Sequence, residues 1–474
     1  MMFALVLSFL LPVCAAFLLL CLVWPGGRHV RTDIGTKVCL AVGIGIGLSS
    51  CLFFILMNIG LTGRAAVIVD GTLQVITIIA LAMVMVSRGF TWSSEHHGKR
   101  GGPMDIVGLL TIAFYFVLLV QIFVFIALSF SRPHGGWDAW AIWNMRARFL
   151  ARAGADWREA FSPTLGVPHL DYPCLIPMSI ARAWLYGNHE SPIIPVIISL
   201  LFTFSTVGLM VSALSLLKNR YTGLMAGLVL MGTPVLFQQS LLQYADIPLA
   251  YYILSTLVLL TLHGRDAPGR KRYLILAGLM TGLSAWTKNE GLLFLVAILF
   301  SYAILVVFRK GRGALWPQSF PILAGLMIVL PAIVLLKAHF ASSNEVVSPQ
   351  NLDVSAKQLF EPARYQDIAF GFILRITSYG DGRLSPFAVL IPLLFLLGLD
   401  PGYRSERGLR TAALVLPFMF MGYVMVYLIT PNDLGWHILT SRDRLLLHLW
   451  PSFLFSFFLL VKSTEGDVRS STPC

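Results

Sequence analysis

The chain has 474 residues, of which 57% are apolar and only 12% charged, and it carries a formal net charge of +12. Soluble domains carry roughly 25% charged residues, so a soluble globular protein is excluded, as a mean hydropathy of +0.77 also implies. Apolar runs of about 20 residues, the length that crosses a hydrocarbon core of about 30 Å, recur throughout; being continuous rather than alternating, they exclude a β-barrel.

The expected fold is an all-α polytopic membrane protein. In chain order, thirteen spans are expected near residues 3–24, 38–60, 66–87, 106–130, 192–216, 222–242, 247–263, 273–287, 291–308, 319–338, 384–399, 411–430 and 444–461. The first has no basic leader and outruns a signal-peptide core, so it reads as a retained helix. Cys14, Cys21, Cys39 and Cys51 lie in the first two spans, with Cys174 in a loop and Cys474 terminal. That pattern is neither a disulfide framework nor a zinc spacing.

Charge orders the connections. Alternate ones, from "WPGGRHVRTDIGTK" to the tail, are short and carry 20 basic against 8 acidic residues. The other set includes two long loops, 131–191 and 339–383, and carries 15 of each sign. The excess of Lys and Arg places the first set in the cytoplasm. The N-terminus is then outside and the C-terminus inside a cell (inner, cytoplasmic) membrane. The net positive charge belongs to those loops, and no nucleic-acid partner is expected. The histidines and acid of "SSEHHGK", Glu95, His96 and His97, read as a solvated cytoplasmic loop.

The acidic residues that demand explanation fall on the outer side. After the fourth span, "GGWDAWAIWNMRARFL" sets Asp138 between Trp137 and Trp140, ahead of Trp143, Arg146 and Arg148, with Arg152 just beyond. Alternatively, Asp138 is a helix cap, the tryptophans an interfacial belt and the arginines partners of anionic headgroups. "VPHLDYPCLIP" brings His169, Asp171 and Tyr172 in the first long loop, and "HLD" with Asp138 also resembles part of a metal site.

"QYADIPLA" places Asp246 at the start of the seventh span, as site residue or N-cap with Pro248 in the first turn. "SAWTKNEGL" carries Lys288 and Glu290. The span before it, 273–287, covers roughly 22 Å at 1.5 Å per residue, so this turn lies below the outer surface unless both heads snorkel outwards. Charge at depth needs a water-filled or protein-lined cavity. "TSRDRLLLHLWP" then puts Arg442, Asp443 and Arg444 at the mouth of the last span. One outward cavity roofed by the two long loops gathers all these groups.

A carboxylate soon after a span, then "GADW", then "HLDYPCLIP", then "YADIPLA", "TKNEG" and "RDRLLLHLWP" resemble, in that order, the membrane glycosyltransferases of the GT-C fold. The glycosyltransferase family 39-like group is the nearest likeness, with its bacterial aminoarabinose transferases and protein O-mannosyltransferases. The resemblance covers residues from about 106 onward. It implies residues 105–474 as a GT-C-like catalytic core and 1–104 as additional transmembrane helices. Where many relatives have a second acidic residue after the loop aspartate, this chain has Ala139, and where the aminoarabinose transferases have a basic residue before the proline motif it has Asp171 and Tyr172.

The resemblance implies transfer of a hexose or pentose from a polyprenyl-phosphate sugar to a lipid or glycan, less readily to a protein. Asp138 would act as the base, with inversion at the anomeric carbon. Arg444 and Lys288, then Arg442, would hold the donor phosphate. Asp171, His169, Tyr172, Asp246 and Glu290 would hold sugar or acceptor. No nucleotide cofactor is expected, no metal ligand is assigned, and a divalent ion bridging Asp138 to phosphate is left open. A lipid-linked oligosaccharide polymerase or ligase and a secondary transporter are the alternatives.

Overall fold

The computed structural model describes residues 2–25, 33–90, 106–165, 169–264, 269–342, 344, 352–379, 385–403 and 407–463. The Glu95–His97 loop and Cys474 lie outside them. Among the described residues nine helices are long and apolar enough to cross a membrane, and up to eleven spans result if each of two bent pairs is one span. The protein is an all-helical, multi-pass membrane protein.

Three helices lead: α1 (Met2–Val23), α2 (Ile34–Asn58) and α3 (Gly63–Ser87). After α4 (Ile106–Ser131), the first long connection is largely helical. A π-helical turn at Ala139–Trp143 runs into α5 (Asn144–Arg152), and a buried α6 (Leu175–Gly187) follows. Then come α7 (Ile193–Leu217), α8 (Arg220–Met231), α9 (Pro234–Leu241), α10 (Asp246–Gly264), α11 (Lys271–Thr287) and α12 (Asn289–Lys310). The chain closes with α13 (Leu315–Leu326), α14 (Leu330–His339), α15 (Leu352–Gln358), α16 (Pro362–Thr377), α17 (Phe387–Leu397), α18 (Arg407–Ile429) and α19 (Leu434–Leu460).

Proline explains where two expected spans break. Residues 222–242 form α8 and α9, bent by 60° at Thr233, because Pro234 has no N–H to continue the ladder. Residues 319–338 become α13 and α14, bent by 65°, with Pro331 opening the second. The last helix departs from expectation the other way. It starts at Leu434, capped by Asp433, whose Oδ1 accepts from the Trp436 N–H at 2.8 Å. Arg444 is therefore ten residues inside α19, about 15 Å along its axis, and not at its mouth.

The centre of the bundle is α10, whose apolar window is 94% buried, packed among α7, α11, α18 and α19. A helix apolar on every side suits such a place. It meets α2 through Tyr251 and Tyr252, whose hydroxyls donate to the Cys39 carbonyl at 2.7 Å and the Gly43 carbonyl at 2.8 Å. Gly43 is what allows this approach, since a Cβ there would lie 2.2 Å from the Tyr251 ring. Helices α3 and α4, 6% and 11% buried, instead present apolar surface outwards, as lipid-facing helices do.

Helix α3 buries Ala66, Asp70 and Gln74, one stripe at four-residue spacing. There Arg182 of α6 pairs with Asp70 (Nη2 to Oδ2, 2.7 Å) and also donates to the Ser8 carbonyl of α1. Tyr186 Oη adds a 2.5 Å bond to the same carboxylate oxygen. A buried pair demands such extra partners. Tyr186→Phe is expected to lower stability by about 1.5–3 kcal/mol, the range for a hydrogen bond to a charged group. Thermal unfolding in detergent reads it, and an unchanged midpoint would show the hydroxyl to be dispensable.

Candidate active site

The polar centre begins at the first residue of α10. Asp246 is fully buried, and its carboxylate serves side chains rather than a helix end. Oδ2 accepts from Arg444 Nε at 2.9 Å, and Oδ1 accepts from Lys288 Nζ at 2.8 Å and His448 Nε2 at 2.6 Å. Because a carboxylate only accepts, Nε2 of His448 carries the proton, and Nδ1 accepts from Tyr423 Oη at 3.2 Å. Arg444 and His448 are four residues apart and so share one face of α19.

Two further carboxylates close the network. Arg444 Nη2 meets Asp138 Oδ2 at 2.6 Å, and Lys288 Nζ meets Glu290 Oε1 at 2.8 Å. The second oxygen of Glu290 is buried without a partner. Lys288 is only 3% exposed, so it does not snorkel. It occupies an extended residue between α11 and α12, a turn drawn tight by Gly291. A Cβ at Gly291 would lie 1.8 Å from the Ser284 carbonyl oxygen. Gly291→Ala is expected to cost about 1–3 kcal/mol, the range for overpacking, and to displace Lys288 and Glu290. An unfolding midpoint equal to that of the wild type would refute it.

Asp138 makes no capping hydrogen bond. Its segment is held against the turn before α10: the Gly136 N–H donates to the Leu242 carbonyl at 3.0 Å, and Gln243 Nε2 to the Pro133 carbonyl at 3.2 Å. Tyr244 lies beneath, its ring 4.6 Å from the Arg444 guanidinium. Of the three tryptophans, Trp137 and Trp140 are exposed and Trp143 is fully buried. Trp143 stacks on Tyr172, which stacks in turn on His169 (ring centroids 5.6 and 4.6 Å). Lys288 stands over the same Tyr172 ring at 5.9 Å. Burial, reinforced by the Glu290 charge, raises the Tyr172 phenol well above its ordinary pKa, so it stays neutral.

The arginines after Asp138 divide. Arg146 is buried and pins the His169–Tyr172 turn, donating to the Tyr172 carbonyl at 2.9 Å and the His169 carbonyl at 2.8 Å. His169 needs such support, because it holds a positive φ of 59°. Arg152 pairs with Glu190 (Nε to Oε1, 2.5 Å), and this bond lowers the Glu190 pKa. Asp171 belongs to a neighbouring knot. Its Oδ2 accepts from Asn289 at 2.5 Å and Asn344 at 2.8 Å, while Lys337 donates to its carbonyl at 2.5 Å and to Asn289 Oδ1 at 2.8 Å.

Thus Asp138, Asp246, Lys288, Glu290 and Arg444 come together, with Tyr172 and the stacked His169 along one side. Arg442 does not join them. It donates to the Gly371 carbonyl of α16 at 2.8 Å, beside an Asp443–Arg375 pair. His448, Tyr423, Tyr244 and Lys337 enter the site without having been singled out in the sequence. Among the described residues no three His, Cys, Asp or Glu side chains are grouped to hold a metal ion.

Residues 180–336 match the model of the family described as Dolichyl-phosphate-mannose-protein mannosyltransferase. The matched stretch runs from within α6 into α14 and contains Asp246, Lys288 and Glu290, whereas Asp138, Asp171 and Arg444 lie outside it. Neither a curated protein nor a solved structure matches the chain.

Proposed function

Starting from this likeness to a family of membrane glycosyltransferases over residues 180–336, we propose that the protein transfers a sugar from a polyprenyl-phosphate donor to a lipid or glycan acceptor. Transfer takes place at the outer face of the cell membrane, with the N-terminus outside and the C-terminus in the cytoplasm, as the charge of the connections indicates. The observation that carries the reading is the recessed chain Asp138–Arg444–Asp246–Lys288–Glu290. It puts the partly exposed Asp138 carboxylate against Arg444, with Lys288 on the other side of Asp246, at the start of α10.

The chemistry needs both signs. The acceptor oxygen or nitrogen forms a bond to the anomeric carbon on the face opposite the phosphate, inverting it. The bond from that carbon to the phosphate oxygen breaks, its electron pair stays on the phosphate, and the acceptor's proton passes to Asp138. Arg444 and Lys288 stabilise the charge that gathers on the leaving phosphate, an effect that is strongest where water is scarce. Arg444 offers a planar fork suited to phosphate. Glu290, with its unpartnered Oε2, and the Tyr172–His169 stack orient sugar or acceptor hydroxyls, and Asp171 holds the loop that carries Tyr172. Arg442 instead donates to the Gly371 carbonyl of α16, so the phosphate is assigned to Arg444 and Lys288.

Two broken helices, α8–α9 and α13–α14, are also found in secondary transporters. There, however, the breaks themselves line the midplane site, whereas here the charges stand on α10, α19 and the α11–α12 turn. The deciding experiment is transfer of label from radioactive polyprenyl-phosphate hexoses and pentoses in membranes with and without the protein, offering lipid, glycan and peptide acceptors. Label in the lipid or glycan fraction is expected. Transfer only from diphosphate-linked glycans would assign a polymerase or ligase, and no transfer from any donor would overturn the enzyme reading.

A further inference from the structure

The two cations that hold Asp246 are already paired. Arg444 and Lys288 face three carboxylates, Asp138, Asp246 and Glu290. As the site stands, Asp138 Oδ2 is turned to the guanidinium at 2.6 Å and not to an incoming acceptor. A phosphate reaching Arg444 finds Nη2 and Nε already taken by carboxylates. Both difficulties are removed by one exchange.

We propose that the donor phosphate displaces the Asp138 carboxylate from Arg444, so that donor binding is what frees the base and the acceptor is activated only afterwards. This rests on the glycosyltransferase reading and adds an order of events to it.

The partners of Arg444 differ in how firmly they are held. Asp246 is fully buried, accepts from three side chains and forms part of α10, so it is the firmly held partner. Asp138 is 17% exposed at its side chain, and its carboxylate is held by Arg444 through Oδ2. It also stands immediately before a π-helical turn, an irregularity often found at functional sites. Lys288 offers no comparable opening, being buried between Asp246 and Glu290. Exchange at Nη2 conserves charge, since a singly charged sugar phosphodiester replaces a singly charged carboxylate. Tyr244 keeps the guanidinium plane in place while its partner changes.

The exchange makes an unusual demand on a variant of the base: losing it should improve donor-site affinity. The test measures binding of sugar-free polyprenyl monophosphate to the full-length protein in nanodiscs, comparing wild type with Asp138→Asn and Asp138→Ala. Both variants are expected to bind about fivefold more tightly, the equivalent of about 1 kcal/mol, because the Asp138–Arg444 pair no longer competes. Measuring two variants guards against one of them failing to fold. Wild type that binds, with folded variants that bind equally or more weakly, would overturn the exchange and leave the glycosyltransferase reading standing. No binding by any of the three would overturn the phosphate role of Arg444, and the exchange with it.

Discussion

Asp138→Asn is expected to lower the turnover of sugar transfer by about 10²–10⁴-fold, the usual contribution of a general base. The amide has the shape of the carboxylate but accepts no proton at neutral pH. Its loss leaves Arg444 anchored on Asp246, so folding should survive. Initial rates at saturating donor, set beside the unfolding midpoint, separate the two effects. A variant with normal stability that keeps more than a tenth of wild-type turnover would remove Asp138 from the chemistry.

Asp246→Ala should act on stability as much as on activity. Its carboxylate accepts from Arg444, Lys288 and His448 in a fully buried position. Removing it leaves two cations and an imidazole without their common acceptor. Breaking a buried pair from one side costs about 3–5 kcal/mol. Asp246→Asn keeps the volume and one acceptor oxygen, and should fall between wild type and alanine. The checks are unfolding in detergent and the yield of monodisperse protein. An alanine variant as stable as wild type would show that Arg444 and Lys288 rely on other anchors.

Much of this was legible in the sequence. The apolar runs located most of the long helices, although nine to eleven spans among the described residues stand against the thirteen expected, and the unusual acids singled out the ends of α4 and α10 and the α11–α12 turn. What hydropathy could not show was the extension of a helix into polar sequence. Residues 434–444 contain His437, Arg442, Asp443 and Arg444, so an apolar window begins only after them, yet Asp433 caps the helix well upstream. Once helical, the segment becomes readable. Residues two apart point to different sides and residues four apart to the same side. Arg442 therefore turns to α16, Arg444 to Asp246, and His448 joins Arg444. That spacing was the available signal for His448, which inside "LLLHLWP" looked like part of a span. Helix α6 escaped notice because thirteen residues containing an arginine are too short to read as a span. Its place is explained by Asp70, more than a hundred residues earlier, a pairing that no local pattern encodes.

The central position of α10 also bears on how the molecule is made. Synthesis runs from the N-terminus, so Asp246 enters the membrane before Lys288 and nearly two hundred residues before Arg444 and His448. Until α19 is laid down, a growing chain carries a carboxylate lacking most of its partners on a helix designed to touch no lipid. Such a charge is tolerated only beside protein or water. A ribosome that stalls or terminates before α19 therefore releases a chain with a distinctive defect, a core acid lacking two of its three side-chain partners. Completion of the last helix is then the step that turns an inserted polypeptide into a folded one, and membrane quality control has a clear feature by which to tell them apart.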